Sequence, residues 1–285
     1  ADKNPNPNPN PNPNPNPNPN PDPVEPPKDL SAYYKEHNIE GKVGEELKLA
    51  LRERLDDGDN VRSYGSNLNS VLVKADKHPT KSGNYVYTIY DGEAMTGTGG
   101  SGSSGPSVWN KEHTIPKSWY NGDKGYGRYE GDVHNLRISR ASINLDRGND
   151  KFAPGSGEWK ASSNGGFYPG DDHRGDAARI AFYMIVRIPI LSIDQIVSKE
   201  SKETLLKWHR EDPVDDFERN RNQVLFEYQG NRNPFIDHPE FANAIWENTS
   251  QLSTDMFTID DVMTYIAKTI MMVDYSQIKR EQYQM

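Results

Sequence analysis

The chain is 285 residues long and carries 33 basic against 42 acidic residues, a formal net charge of −9, with no cysteine at all. The missing cysteine excludes disulfide scaffolds, thiolate nucleophiles and Cys-based zinc sites, and no apolar run is long enough to span a bilayer. Only 33 % of the residues are apolar, but the deficit is concentrated at one end, and the remainder has enough Leu, Ile, Val, Phe, Tyr and Trp to build a core.

That end is the start of the chain. Residues 4–21 repeat Asn-Pro nine times and continue as Asp22-Pro23-Val24-Glu25-Pro26-Pro27. Proline removes backbone donors and blocks helix, so residues 1–28 read as a disordered, extended stalk and residues 29–285 as one domain. The opening Ala1-Asp2-Lys3 reads as a mature product after leader removal, which favours export, either free or displayed on the cell surface of a bacterium. Glu45 to Leu55 places Leu47, Leu51 and Leu55 four residues apart, an amphipathic helix; Tyr85 to Tyr90 is a β-branched and aromatic strand ending at Asp91-Gly92. Gly97 to Pro106 is a flexible connector. Ala177 to Ile188 is apolar nearly all round, as a buried helix is, with Arg179, Tyr183 and Arg187 forming one polar stripe expected to pair with core acids. Asp212-Pro213 is expected to cap a helix running to Tyr228, followed by a turn-rich segment from Gly230 to Pro239 in which His238 reads as a turn residue. Ile259, Val262, Ile266 and Ile270 then give Thr258 to Met285 a helical pattern.

The chemistry lies between these flanks. Trp109 to Pro116 contains the adjacent pair Glu112-His113, Gly131 to Arg137 contains Asp132, His134 and Asn135, and Ile143 to Asn149 contains Asn144, Arg147 and Asn149. An imidazole titrates where it can deprotonate water near neutral pH, and hard oxygen donors such as Glu and Asn suit a divalent cation that offsets charge on phosphate. From Lys111 to Lys151 there are eight basic against six acidic residues, so a locally cationic strip sits on an acidic body.

The strings WNKEHTIPKSW (109–119), GDVHNLRI (131–138) and INLDRGN (143–149) resemble the secreted bacterial endonuclease I family, metal-dependent nucleases of the ββα-metal (His-Me finger) type. The resemblance continues through residues 175–187, 205–239 and Trp246. It implies an α+β fold in which a ββα-metal core is embedded in a mostly helical single domain. One strand would end near Glu112-His113, a loop would run from Pro116 to Gly131, Val133 to Ile138 would form the second strand, and a helix beginning near Ser139 to Ser142 would present Asn144. Neighbouring residues on a strand face opposite ways, so Glu112 and His113 serve one site only if the strand twists or ends there. The implied roles are His113 as general base and Glu112 and Asn144 as ligands of a divalent metal, Mg²⁺ first, with Mn²⁺ or Ca²⁺ as alternatives. Arg128 is the candidate phosphate clamp, with Lys124 or Arg147 as substitutes. Asp132 and His134 share a strand face and are zinc candidates by spacing, but the family motif gives them, with Asn135, Arg147 and Asn149, supporting or phosphate-binding roles. The implied reaction is largely sequence-nonspecific hydrolysis of DNA, and in many members of RNA too, to 5′-phosphate ends. The competing reading is a noncatalytic exported protein that binds polyanions or a wall polymer, against which the intact Glu112, His113 and Asn144 speak.

Overall fold

Leu47, Ala50, Leu51 and Leu55 form the buried stripe of an amphipathic helix, Gly44–Asp56, on the turns where their spacing predicts one. The computed structural model describes residues 30–97, 108–163 and 166–247. The Asn-Pro repeat, most of the Gly/Ser connector and the expected C-terminal helix lie outside them. In chain order the first elements are α1 (Leu30–Lys35), α2 (Gly44–Asp56), α3 (Asn69–Ala75), β1 (Tyr85–Tyr87), β2 (Ala94–Thr96), β3 (Trp109–His113), β4 (Leu136–Arg140) and α4 (Ala141–Arg147). Then follow β5 (Lys151–Phe152), β6 (Lys160–Ser162), β7 (Gly166–Tyr168), α5 (Arg174–Arg187), α6 (Ile193–Ile196), α7 (Ser201–Glu211), α8 (Asp216–Gln229), α9 (Pro234–Asp237) and α10 (Glu240–Trp246). This is a mixed α+β domain, and no helix among the described residues is long and apolar enough to cross a membrane.

Helix α5 is the axis of the core. Every residue from Gly175 to Arg187 is buried, and α2, α7 and α9 pack around it. Burying a side chain such as Leu51 or Phe182, both fully enclosed, contributes roughly 1.5–3 kcal/mol. The expected polar stripe pairs with core acids. Arg179 grips Glu218 through two bonds of 2.6 Å, Tyr183 donates to Asp132 at 2.9 Å, and Arg187 lies 2.7 Å from Asp132 while also reaching Asp59.

The sheets are small: an antiparallel β1–β2 pair, an antiparallel β3–β4 pair and a three-stranded sheet in the order β5-β7-β6. In the central pair Trp109 stands opposite Arg140 and His113 opposite Leu136, and α4 follows directly and packs on both strands.

Three boundaries differ from expectation. The strand expected to reach Tyr90 stops at Tyr87, because Tyr90 takes a left-handed φ of 85° and Thr88 bonds into the turn through the Asp91 carboxylate. The second central strand is Leu136–Arg140 instead of Val133–Ile138, because Asp132 to Asn135 closes a turn in which Asn135 N donates to Asp132 O at 3.1 Å and His134 N to the Asp132 carboxylate at 3.0 Å. Finally, α8 is capped by Asp215, whose side chain accepts from Glu218 N at 2.8 Å. Asp212 instead accepts from Gly175 N at the start of α5. At its other end α8 stops at Gly230, whose φ of 88° suits a residue without Cβ.

Candidate active site at the end of the central strand

Strand β3 ends where Pro116 approaches and Asn135 takes over the backbone. Ile115 N donates to Asn135 Oδ1 at 2.8 Å, and Asn135 Nδ2 donates to Ile115 O at 2.9 Å and to the Tyr120 hydroxyl at 3.1 Å. This buried clip fixes the chain leaving His113, a structural task for Asn135.

Strand alternation sends the two central side chains into different environments. Glu112 turns inward and is only 3 % exposed. Its Oε1 accepts from the Tyr90 hydroxyl at 2.8 Å and lies 3.2 Å from Arg147 Nε. Burial raises the Glu112 carboxyl above its usual range, while Arg147 and Tyr90 pull it back. Arg147 is itself buried and donates to Thr114 O at 2.7 Å, so it braces the carboxylate and the strand end.

His113, the last residue of β3, lies beside a loop wound into short 3₁₀ turns. Its Nε2 lies 2.9 Å from the Glu130 carbonyl oxygen. A carbonyl only accepts, so in the neutral ring Nε2 carries the hydrogen and Nδ1 keeps the lone pair. Burial depresses the imidazole to about 4, so at neutral pH it is uncharged and able to take a proton.

Four further residues cluster around this imidazole that spacing along the chain did not reveal. The Tyr64 ring lies 4.9 Å from it between centroids and tilted by 38°, and the ammonium groups of Lys111 and Lys117 each lie 5.1 Å from the Tyr64 centroid. Glu130, whose carbonyl holds His113, also pairs through its carboxylate with Lys117 and accepts from Asn121 at 2.9 Å. The segment bearing Tyr64 is seated directly on the Glu130 loop: a Cβ at Gly131 would fall 1.7 Å from the Arg62 carbonyl oxygen and 3.1 Å from Tyr64 N.

Arg128 lies on the same loop, its side chain 55 % exposed and 3.4 and 3.5 Å from carboxylate oxygens of Asp56 and Asp59. With Val61, Ser63, Tyr64, Gly127 and Glu130 it lines a depression of about 330 Å³. The other candidates are placed differently. Lys124 donates to the Ser118 and Trp119 carbonyls, both at 2.9 Å, and Asn149 is exposed beyond α4. Asp132 and His134 are fully buried, the first among Arg187, Tyr183 and Gln229, the second with Nε2 3.0 Å from Asn231 O.

Asn144, on the second turn of α4, ties its amide nitrogen to Asn110 Oδ1 at 2.6 Å, which keeps its oxygen as the remaining donor. Among the described residues no three His, Asp or Glu side chains gather into a cage. One carboxylate and one amide oxygen on adjoining elements suit a hard cation that keeps most of its waters, such as Mg²⁺, and do not make a tetrahedral zinc site.

The endonuclease I family model matches residues 43–240. The chain is 38 % identical to an extracellular ribonuclease of Bacillus subtilis (strain 168) over 241 residues, 78 % of this chain and 80 % of that one. It is 37 % identical to an extracellular ribonuclease of Bacillus amyloliquefaciens over 243 residues, 78 % and 81 % of the two chains. An extracellular deoxyribonuclease of Aeromonas hydrophila matches at 27 % over 151 residues, 44 % of this chain and 64 % of the relative.

Proposed function

This chain belongs to the endonuclease I family, and from that premise we propose that it is an exported, metal-dependent endonuclease hydrolysing phosphodiester bonds of RNA and DNA with little base preference. The observation that carries the reading is the His113 imidazole, neutral, anchored by Nε2 on the Glu130 carbonyl and with Nδ1 left as a base. Relatives named for ribonuclease and for deoxyribonuclease activity support both substrates, and their description as extracellular supports export.

In this reading His113 Nδ1 accepts a proton from the attacking water, while Glu130 O holds the Nε2 hydrogen and steadies the imidazolium that forms. The water oxygen bonds to phosphorus and the P–O3′ bond breaks, leaving a 5′-phosphate and a 3′-hydroxyl. Glu112 and Asn144 would hold a divalent cation, Mg²⁺ by the character of the donors, and when bound it would neutralise charge building on the phosphate and the leaving oxygen. Arg147 and Tyr90 keep the Glu112 carboxylate in place for that task. In this reading Lys111 and Lys117 attract the polyanion, while Arg128 stays with the Asp56 and Asp59 carboxylates.

Plasmid nicking with and without EDTA tests the proposal. Wild-type protein should nick only with divalent metal, at mapped sites lacking a common sequence, and the rate should fall steeply as salt rises because the contacts go to phosphates. Nicking that survives EDTA, or cuts confined to one recognition sequence, would overturn it.

A further inference from the structure

Tyr64 is a large aromatic side chain left 37 % exposed on a surface where the other walls are mostly small or polar. Burying such a ring elsewhere is favourable, so its position at the mouth of the His113 site calls for a partner that is flat, apolar on its faces and present during the reaction. The depression beside it, about 330 Å³ in volume, falls at the lower end of the range of about 300–1,000 Å³ seen for small-molecule sites. That is room for one nucleotide unit.

Charge decides which part of a nucleotide belongs there. The cation lining the depression is Arg128, already shared by Asp56 and Asp59, and the carboxylate lining it is Glu130. Both of these charges already have partners, since Glu130 pairs with Lys117, so a phosphate inside would have to displace one of them. The ammonium groups of Lys111, which is held by the neutral Asn69, and of Lys117 lie over the Tyr64 ring, each 5.1 Å from its centroid. Phosphate therefore belongs beside Lys111, next to His113, and a neutral group with hydrogen-bond donors belongs inside, against Ser63, Glu130 and the Tyr64 ring.

Taking the nuclease reading as its premise, we propose that this depression is a subsite for an unpaired nucleobase adjoining the cleaved phosphate, with Tyr64 as its stacking platform. A base in a duplex has both faces covered by its neighbours and cannot stack on a side chain without leaving the helix, whereas bases in single strands and loops stack on Tyr readily. The enzyme accordingly favours single-stranded nucleic acid over duplex, whatever the sugar. Because the ring also touches His113, Tyr64 has a competing role as packing that merely positions the base, and the test separates the two.

The experiment measures kcat/KM on a labelled mixed-sequence oligonucleotide, alone and annealed to its complement, in DNA and RNA versions, for wild type, Tyr64→Leu and Tyr64→Phe. Loss of base–aromatic stacking should lower the single-strand to duplex ratio of kcat/KM about tenfold in Tyr64→Leu, chiefly through KM, in both sugars. Tyr64→Phe keeps the π-face and should hold the ratio within about twofold. A third variant, Tyr64→Trp, gives a binding readout independent of turnover. With EDTA present, single-stranded oligonucleotide should quench its added indole emission, and duplex should not. Equal loss of kcat on both substrates in Tyr64→Leu, or an unchanged ratio, overturns the stacking role while leaving the nuclease reading intact. A wild-type protein that cuts neither substrate removes both.

Discussion

The charged lattice beneath α5 and the cleft around His113 are built from the same residue types and behave in opposite ways. In the lattice every cation meets an acid inside the protein: Arg179 with Glu218, Arg187 with Asp132 and Asp59, Arg221 with Asp76 at 2.7 Å, and Arg137 with Asp176 at 2.6 Å. In the cleft His113 is held by a backbone carbonyl and a tyrosine ring, and Lys111 is held by the neutral Asn69 at 2.8 Å. Mutually neutralised buried charge stabilises only if it stays paired. Charge that is half-exposed and held by neutral partners keeps its capacity for an outside ligand. The contrast teaches that the function of an ionisable residue here is read from its partners more than from its type.

The strongest way to break this contrast is at His113. His113→Ala should lower kcat by about 10²–10⁴-fold, measured as single-turnover nicking at saturating metal, because a general base has no local substitute. Melting temperature should change little, since the side chain has no partner in the buried lattice. A variant with more than a tenth of wild-type activity would move the base elsewhere. The converse substitution is Arg187→Met, which leaves Asp132 and Asp59 buried without their cation. It should cost about 3–5 kcal/mol in urea unfolding, a fall in melting temperature on the order of 10 °C, while the folded fraction keeps its turnover. Loss of turnover with stability unchanged would mean that the lattice reaches into the chemistry.

Glu112 sits between the two regimes, since it is buried and paired with Arg147 yet proposed to hold a cation. Glu112→Gln keeps the Tyr90 hydrogen bond but removes the charge. The Mg²⁺ concentration for half-maximal activity should rise tenfold or more, roughly, with activity returning at high Mg²⁺ or Mn²⁺. Asn144→Ala should shift it less, because a neutral ligand is lost. Metal-titrated kinetics on both variants decide the matter, and a metal dependence identical to wild type would free Glu112 for a purely structural role.

The smallest effect concerns acid. Burial depresses His209 to about 4, against about 6.5 for the unfolded residue. The unfolded chain therefore binds this proton first, and the stability tied to a neutral His209 is present above about pH 6.5 and is lost as pH falls towards 4. Asp212, raised to about 6 by burial and by Asp176, acts in the opposite direction, so the useful readout is a difference. His209→Gln can still reach the Pro239 carbonyl, which His209 Nε2 approaches to 2.9 Å. Its melting temperature should gain on wild type between pH 6.5 and 4; parallel curves would remove His209 from the acid response.

Much of this was legible along the chain wherever the physics is local. The Leu47, Leu51, Leu55 spacing marked α2, and the four-residue spacing of Arg179, Tyr183 and Arg187 marked a stripe that does pair with acids, whereas the β3 end, the loop and α4 were placed by the family resemblance. Boundaries slipped where a side chain competed with the ladder or the cap, as Asp132 does by turning the chain before β4 and Asp215 does by capping α8 in place of Asp212. What could not be read were meetings through space. Tyr64 reaches His113 from 49 positions away, Glu130 contributes a carbonyl that every residue type possesses, and Arg128 finds its acids on and just after α2. No periodicity encodes such encounters, so a lysine or arginine in the cationic strip gives no sign of whether it faces solvent, a carbonyl or a carboxylate.

The close contact at Gly131 makes the strand-end site behave as one mechanical part. With the Arg62 carbonyl pressed where a Cβ would stand, the segment carrying Tyr64 and the loop carrying Glu130 sit as close as a residue without a side chain allows. A methyl group at position 131 would act as a wedge, displacing the aromatic wall and the imidazole's anchor in a single movement although it touches neither substrate nor His113. Diversification of this enzyme, natural or designed, would find more freedom at exposed positions such as Gly122, Lys124 and Gly125 than at the glycine hinge-pin that follows them.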